Sequence, residues 1–334
     1  MRFITFILII AGTLNASNLI IADTSYTDSI NYALSMSINR EYEKSYGYFS
    51  RMIELATDDP TGYFFYGIAM QSEMMEREEW EDIDSLCNLF TRAYELADRY
   101  EPDSWAYYIK GASYGYLALL RLRENKYLSA FPLIRSSVAF LKRSREESST
   151  NYDAYLGLGG YYFWRSEKLG FLRYLFFMPD EREKGLEYLQ LAEAKSRFSR
   201  DVARYAIINV LTEQKKFNEA KKLVKYLRQK YPNSLTPLWN ELYVVEKEKD
   251  WDAVVRITTY MLENYRGGLG SNLYNVIELY YKKVKALEEL GKYEQAVSVI
   301  NDVLSLKIPA TTAKRQGEKL SELSNLKEQL QAKY

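Results

Sequence analysis

Residues 202–232 read VARYAIINVLTEQKKFNEAKKLVKYLRQKYP, and residues 237–266 read PLWNELYVVEKEKDWDAVVRITTYMLENYR. Laid over one another at an offset of 34, Phe217 meets Trp251, Ala220 meets Val254, Leu211 meets Val245 and Leu227 meets Met261. A third stretch, LYYKKVKALEELGKYEQAVSVINDVLSL at 279–306, brings Tyr293 and Ala296 into the same register after eight extra residues. Those eight contain part of GGLGSN, a composition that reads as a lengthened turn. Apolar residues recur at three- and four-residue spacing on either side of a central break, so each unit is two helices joined by a turn. A lone hairpin of this kind cannot bury both of its apolar faces, and successive units must therefore stack.

These stretches resemble tetratricopeptide repeats, a family with a 34-residue helix-turn-helix unit. The match is close in ELGKYEQA, with Gly291 at the turn, Tyr293 as the large residue and Ala296 as the small one that lets the helices approach. QKKFNEA matches through Phe217 and Ala220, and Pro232 ends that unit where the family places a proline. The middle unit departs, with Val254 where alanine is usual and no terminal proline. The resemblance implies an all-α fold, an α-α superhelix of about seven hairpins, ending in a polar capping helix after Pro309 (310–334). It also implies a concave groove lined by Tyr205, Asn209, Trp239, Tyr243, Lys247, Tyr281 and Lys285, a surface suited to a protein or peptide partner. The lysine and asparagine clamp by which some of these domains hold a terminal carboxylate is absent: Asn209 has its place, but Tyr205 and Glu213 stand where basic residues are expected.

The N-terminal half follows the plan less strictly. REYEKSYGYFSRMIELATDDP, residues 40–60, puts Tyr42, Ser45, Phe49 and Met52 on one stripe, with Pro60 closing the unit. YFFYGIAMQSE then pairs with LCNLFTRAYELA, and residues 104–143 form a third hairpin with Pro132 expected in the first turn of its second helix. The polar run KRSREESSTN at 142–151 is the best linker between these hairpins (23–146) and a fourth (147–200), ahead of the three tandem units (201–309).

The fourth hairpin, from Asp153 to Ala194, resembles a segment of exported bacterial repeat proteins and, distantly, of the eukaryotic Iml2/TTC39-type repeat proteins. The elements shared are Gly157 to Tyr161, an apolar insert and the helix start Asp180 to Leu186. The insert carries Phe171, Leu172, Tyr174, Leu175, Phe176 and Phe177; it is too short to span a membrane and reads as a cover over a groove or as an exposed contact patch. In DERE, Asp180 is expected as helix N-cap with Glu183 as its capping-box partner, which assigns both acids a structural task rather than a catalytic one.

Composition narrows the function. There is no histidine, which removes the usual general base and the commonest transition-metal ligand, and the single cysteine, Cys87, sits at a position that reads as core. No cofactor or metal is implied. With 45 basic and 45 acidic residues, the chain as a whole offers no basic footprint for nucleic acid or for acidic membranes. At the start, Arg2, the apolar run Phe3–Leu14 and the small residues Ala16, Ser17 and Ala22 have the order of a secretory leader, cleaved after Ala16 or Ala22, with a mature start near Asp23. The expectation is a non-catalytic scaffold, periplasmic or secreted. The alternatives are a carrier of a lipid or other apolar ligand under the 171–178 insert and, disfavoured by open ends and tandem spacing, a carbohydrate-active enzyme on a closed helical ring.

Overall fold

The computed structural model describes residues 19–168, 179–266 and 272–333. Among the described residues there are fifteen α-helices and no strand. They form seven successive hairpins and a final helix. The first three pairs are α1 (Thr27–Ile38) with α2 (Tyr42–Leu55), α3 (Pro60–Arg77) with α4 (Ile83–Ala97), and α5 (Ser104–Arg123) with α6 (Tyr127–Glu147). The fourth is α7 (Ala154–Lys168) with α8 (Arg182–Lys195). The tandem units follow as α9 (Arg200–Glu213) with α10 (Phe217–Lys230), α11 (Thr236–Glu248) with α12 (Trp251–Arg266), and α13 (Leu273–Glu289) with α14 (Tyr293–Leu304). The last helix is α15 (Ala310–Gln331). This is the all-α hairpin solenoid that the 34-residue recurrence predicts.

One turn builds five of the seven hairpins. Arg40, Asn125, Lys215, Lys249 and Gly291 all have positive φ, between 59° and 71°. In each case the next amide reaches back five residues: Glu41 to Met36 O, Lys126 to Arg121 O, Lys216 to Leu211 O, Asp250 to Val245 O and Lys292 to Leu287 O, at 2.8–2.9 Å. This is the Schellman closure, which satisfies carbonyls left open at the helix end. The residue after that amide starts the second helix, and it is aromatic every time: Tyr42, Tyr127, Phe217, Trp251, Tyr293. Ala220, Val254 and Ala296 are fully buried one turn further on, where the two helices cross.

The buried apolar residues form successive clusters along the stack. In the N-terminal half the core is largely aromatic, with Phe64 in ring contact with Phe65, Phe90 and Tyr108, and Phe90 stacked on Tyr116. The predicted stripe Tyr42, Ser45, Phe49 and Met52 is buried on α2. Pro60 opens α3 rather than merely closing the unit before it, with the Asp59 carboxylate accepting from the Thr61 amide. Cys87 is half-buried, and burial raises its thiol.

Four expectations change in the folded chain. Residues 19–22, assigned to the leader, belong to the folded unit: Leu19 and Ile21 are fully buried, and the Ile20 and Ile21 amides donate to Asp59 (2.8 Å) and Thr61 (3.1 Å). Pro132 lies in the second turn of α6, because the Schellman turn starts that helix at Tyr127. Of the polar run 142–151 only residues 148–151 connect the two hairpins; α6 continues to Glu147, Ser144 and Ser104 exchange hydrogen bonds at 2.8 Å, and Asn151 is buried against Ser104. The capping box does not form, since α8 starts at Arg182 with Glu181 as its N-cap residue and Glu183 exposed. Asp180 instead accepts from the Arg182 amide at 3.1 Å, while Glu181 is drawn to Arg165 of α7 and to Lys184.

The stack also curls until its later members meet the first two hairpins. The Asn272 and Asn275 side chains donate to the Glu76 carbonyl at 3.0 and 2.7 Å, and Arg315 of α15 donates to the Glu78 carbonyl and carboxylate at 2.6 Å. The Asn233 amide reaches Asn39 at 3.1 Å. A polar final helix predicts an open end; instead, its arginine reaches the second hairpin. A small rotation repeated from hairpin to hairpin accumulates into curvature, and five hairpins suffice here to bring the chain back to the first.

Candidate partner-binding face

The residues expected to line the groove lie on α9, α11 and α13, the first helices of the tandem units. Tyr205 is half-buried against the cluster that includes Ile207, Ile208 and Val224, and Asn209 is half-buried one turn on. Trp239 is partly buried, with its indole N–H 3.4 Å from the Tyr265 hydroxyl. Asn275 reaches the same hydroxyl while also donating to Glu76, so this part of the face is met by the end of α3.

The other four residues belong to a ladder that sequence reasoning missed. Glu213 accepts from the Tyr243 hydroxyl and pairs with Lys247 at 3.0 Å. Burial works against ionisation of Glu213, but the hydrogen bonds from Tyr243 and Lys247 prevail and hold its carboxyl below the ordinary range. One rung along, Lys282 pairs with Glu246 at 2.8 Å, and Glu278 pairs with Lys319 at 2.7 Å. At the last rung the Tyr281 hydroxyl donates to Glu322 at 2.9 Å, and Lys285 pairs with Glu288 at 2.8 Å. Burial, with Glu322 adding to it, pushes the Tyr281 phenol up to about 12. A signal was present in the repeat itself, because Glu213 and Lys247 stand 34 residues apart, one unit length.

These side chains form a sequence of rungs rather than a pocket. One cleft of about 520 Å³ lies between α10 and α11, lined by Lys221, Lys225, Arg228 and Glu241 among others. Another of about 350 Å³ lies where the α1–α2 turn meets α11 and α12, with Arg40, Asn233, Leu238 and Tyr260 in its wall. None of the seven expected residues lines either cleft. Among the described residues no group of three or more carboxylate or cysteine side chains is placed to hold a metal ion. The insert residues Phe171, Leu172, Tyr174, Leu175, Phe176 and Phe177 lie outside the described residues.

A second structural centre is Asp153, which no sequence signal marked. Its buried carboxylate accepts from the amides of Arg197, Phe198 and Ser199 and from the Ser199 hydroxyl, at 2.8–2.9 Å. Burial raises its carboxyl above the ordinary range against the pull of those donors. It fixes the α8–α9 turn, which in turn holds the segment before α1 through Arg197, whose guanidinium donates to the Ala22 and Asp23 carbonyls at 3.1 Å.

No family model and no curated protein sequence matches the chain. Among solved structures it is similar to yeast Tom70, with a TM-score of 0.39 and 12% identity over 94% of this chain and 66% of that one. The chain thus spans just under two thirds of the Tom70 chain. It is also similar to the TPR domain of P58(IPK), with a TM-score of 0.29 and 10% identity over 91% of this chain and 98% of that one.

Proposed function

We propose that the protein is a non-catalytic, exported scaffold that binds a protein or peptide partner along the face shared by α9, α11, α13 and α15. The observation that carries this reading is the ladder of tyrosines and ion pairs on that face. Partly exposed pairs of this kind contribute only about 0–1 kcal/mol each, so a partner can exchange them for its own contacts at little cost. Rigid rings at Trp239, Tyr243 and Tyr281 supply contact area with little conformational entropy to lose. Because each rung holds both signs of charge, the face favours an extended segment of mixed charge over a terminal carboxylate. Lack of histidine supports a role without acid–base catalysis.

A photo-crosslinking residue placed at Lys247 or Lys285, and in parallel at the outward Lys222 of α10, tests the face in the native envelope. The two inner positions are expected to capture the same protein and Lys222 to miss it; capture at Lys222 alone places the partner elsewhere. Export rests on the order of Arg2, the apolar run and Ala16. Cleavage after Ala16 keeps Leu19 and Ile21, whereas cleavage after Ala22 would empty two buried sites. The intact mass of the processed chain is therefore expected to correspond to a start at Ser17; an unprocessed chain in the cytosol would remove the export reading.

A further inference from the structure

The outward side of the α5–α6 hairpin departs from the rest of the surface. Tyr127, Leu128 and Phe131 are 63%, 94% and 70% exposed, and Leu119 near the end of α5 is 54% exposed. Leu128 and Phe131 share a helical stripe with Arg135 and Lys142, which are also exposed. The stripe runs about 21 Å from Leu128 to Lys142, apolar at its start and basic beyond.

Charge along this hairpin is locally one-sided although the whole chain is neutral. From Leu119 to Arg143 there are six basic residues and one acidic. Arg121 and Lys126 turn to Glu124, and Arg123 turns to Glu78. Arg135 and Lys142 have no carboxylate partner among the described residues, and Arg143 lies over the Phe140 ring at 5.6 Å. The apolar side chains protrude and line neither of the two clefts described above. Protruding apolar side chains seat directly in a bilayer surface, which needs no complementary cavity. No helix among the described residues is long and apolar enough to cross a membrane, so the contact is one of surface rather than span.

We propose that α6 docks on an anionic lipid bilayer, with Leu128 and Phe131 seated at the acyl boundary and Arg135, Lys142 and Arg143 among the headgroup phosphates. An apolar anchor joined to a basic stripe on one helix face is the combination that holds a helix in the membrane interface. The partner-binding face described above lies on other helices and is left free.

Co-sedimentation of the full chain with phosphatidylcholine vesicles, with and without phosphatidylglycerol, tests the proposal. Any contribution from the apolar N-terminal run is common to every chain compared, so differences between chains read the patch. The wild type is expected to pellet with phosphatidylglycerol-containing vesicles and to be released by salt. Each of Arg135→Glu and Lys142→Glu is expected to weaken binding about fivefold or more. The pair Leu128→Asp and Phe131→Asp is expected to weaken it about tenfold or more, with helical circular dichroism unchanged because both positions are exposed. Equal binding by wild type and all variants overturns the proposal, as does equal binding to vesicles with and without phosphatidylglycerol. A shift from dimer to monomer in Leu128→Asp, without vesicle binding by the wild type, also overturns it and makes the patch a contact between copies.

Discussion

Lys215 and Lys249 hold φ of 60° and 63°, a backbone conformation that costs a residue bearing a β-carbon about 1–2 kcal/mol. Gly291 occupies the same place in the third tandem unit at no such cost. Lys215→Gly is therefore expected to stabilise the chain by about 0.5–1 kcal/mol, the relief of strain less the added freedom of the unfolded chain. Gly291→Ala should destabilise it by a similar amount, and urea midpoints for the two variants, moving in opposite directions, are the measurement. Asp201 gives a second prediction at this scale. Burial opposes its ionisation, but Lys230, Tyr231 and Arg204 outweigh burial and hold its carboxyl below the ordinary value. A carboxyl depressed in the folded state contributes stability above its unfolded pKa of about 4 and loses it as pH falls through the folded value. Asp201→Asn is accordingly expected to lower stability near neutrality and to flatten the loss below about pH 4, read from thermal midpoints across that range.

Between elements, α7 and α8 cross closely at Gly159 and Gly185. A β-carbon on Gly185 would lie 2.6 Å from the Phe163 amide nitrogen and 2.8 Å from the Gly159 carbonyl oxygen. These contacts are to backbone, so neither helix can yield by turning a side chain. Gly185→Ala is expected to cost about 1–3 kcal/mol, whereas Gly160→Ala, with open space around it, should be close to neutral or stabilising. Parallel denaturant titrations of the two variants decide the point. The glycines of GLG and the Gly185–Leu186 pair stood out in the sequence only as a shared motif. Their reason is a helix crossing, and a crossing needs both partners in place. The misread capping box has the same origin: Asp180 and Glu183 satisfy the local pattern, but Arg165 and Ser166 on α7 draw Glu181 and set the start of α8.

At the scale of the whole molecule, the closure between Glu78 and Arg315 joins residues 237 positions apart. Glu78 also receives Arg123, so one carboxylate ties α5 and α15 to the end of α3. Arg315→Ala is expected to part α15 from the second hairpin while leaving the hairpins intact, seen as a larger radius of gyration in solution scattering with unchanged helical content; an unchanged radius would show that packing alone sets the curvature. Helices, hairpin count and the stacking of units were readable before any coordinates, because apolar spacing and the 34-residue recurrence are set by neighbours a few positions away. The same locality limited what could be read. Three of the five Schellman turns use arginine or lysine at the left-handed position and carry no mark of it. The inner-face ladder, the Asp153 anchor, the burial of Leu19 and Ile21 and the contacts of α13 and α15 with the second hairpin appear only once the units are stacked. Each depends on rotation accumulated from hairpin to hairpin, and that sum is a property of the packed array that no single stretch of the chain contains.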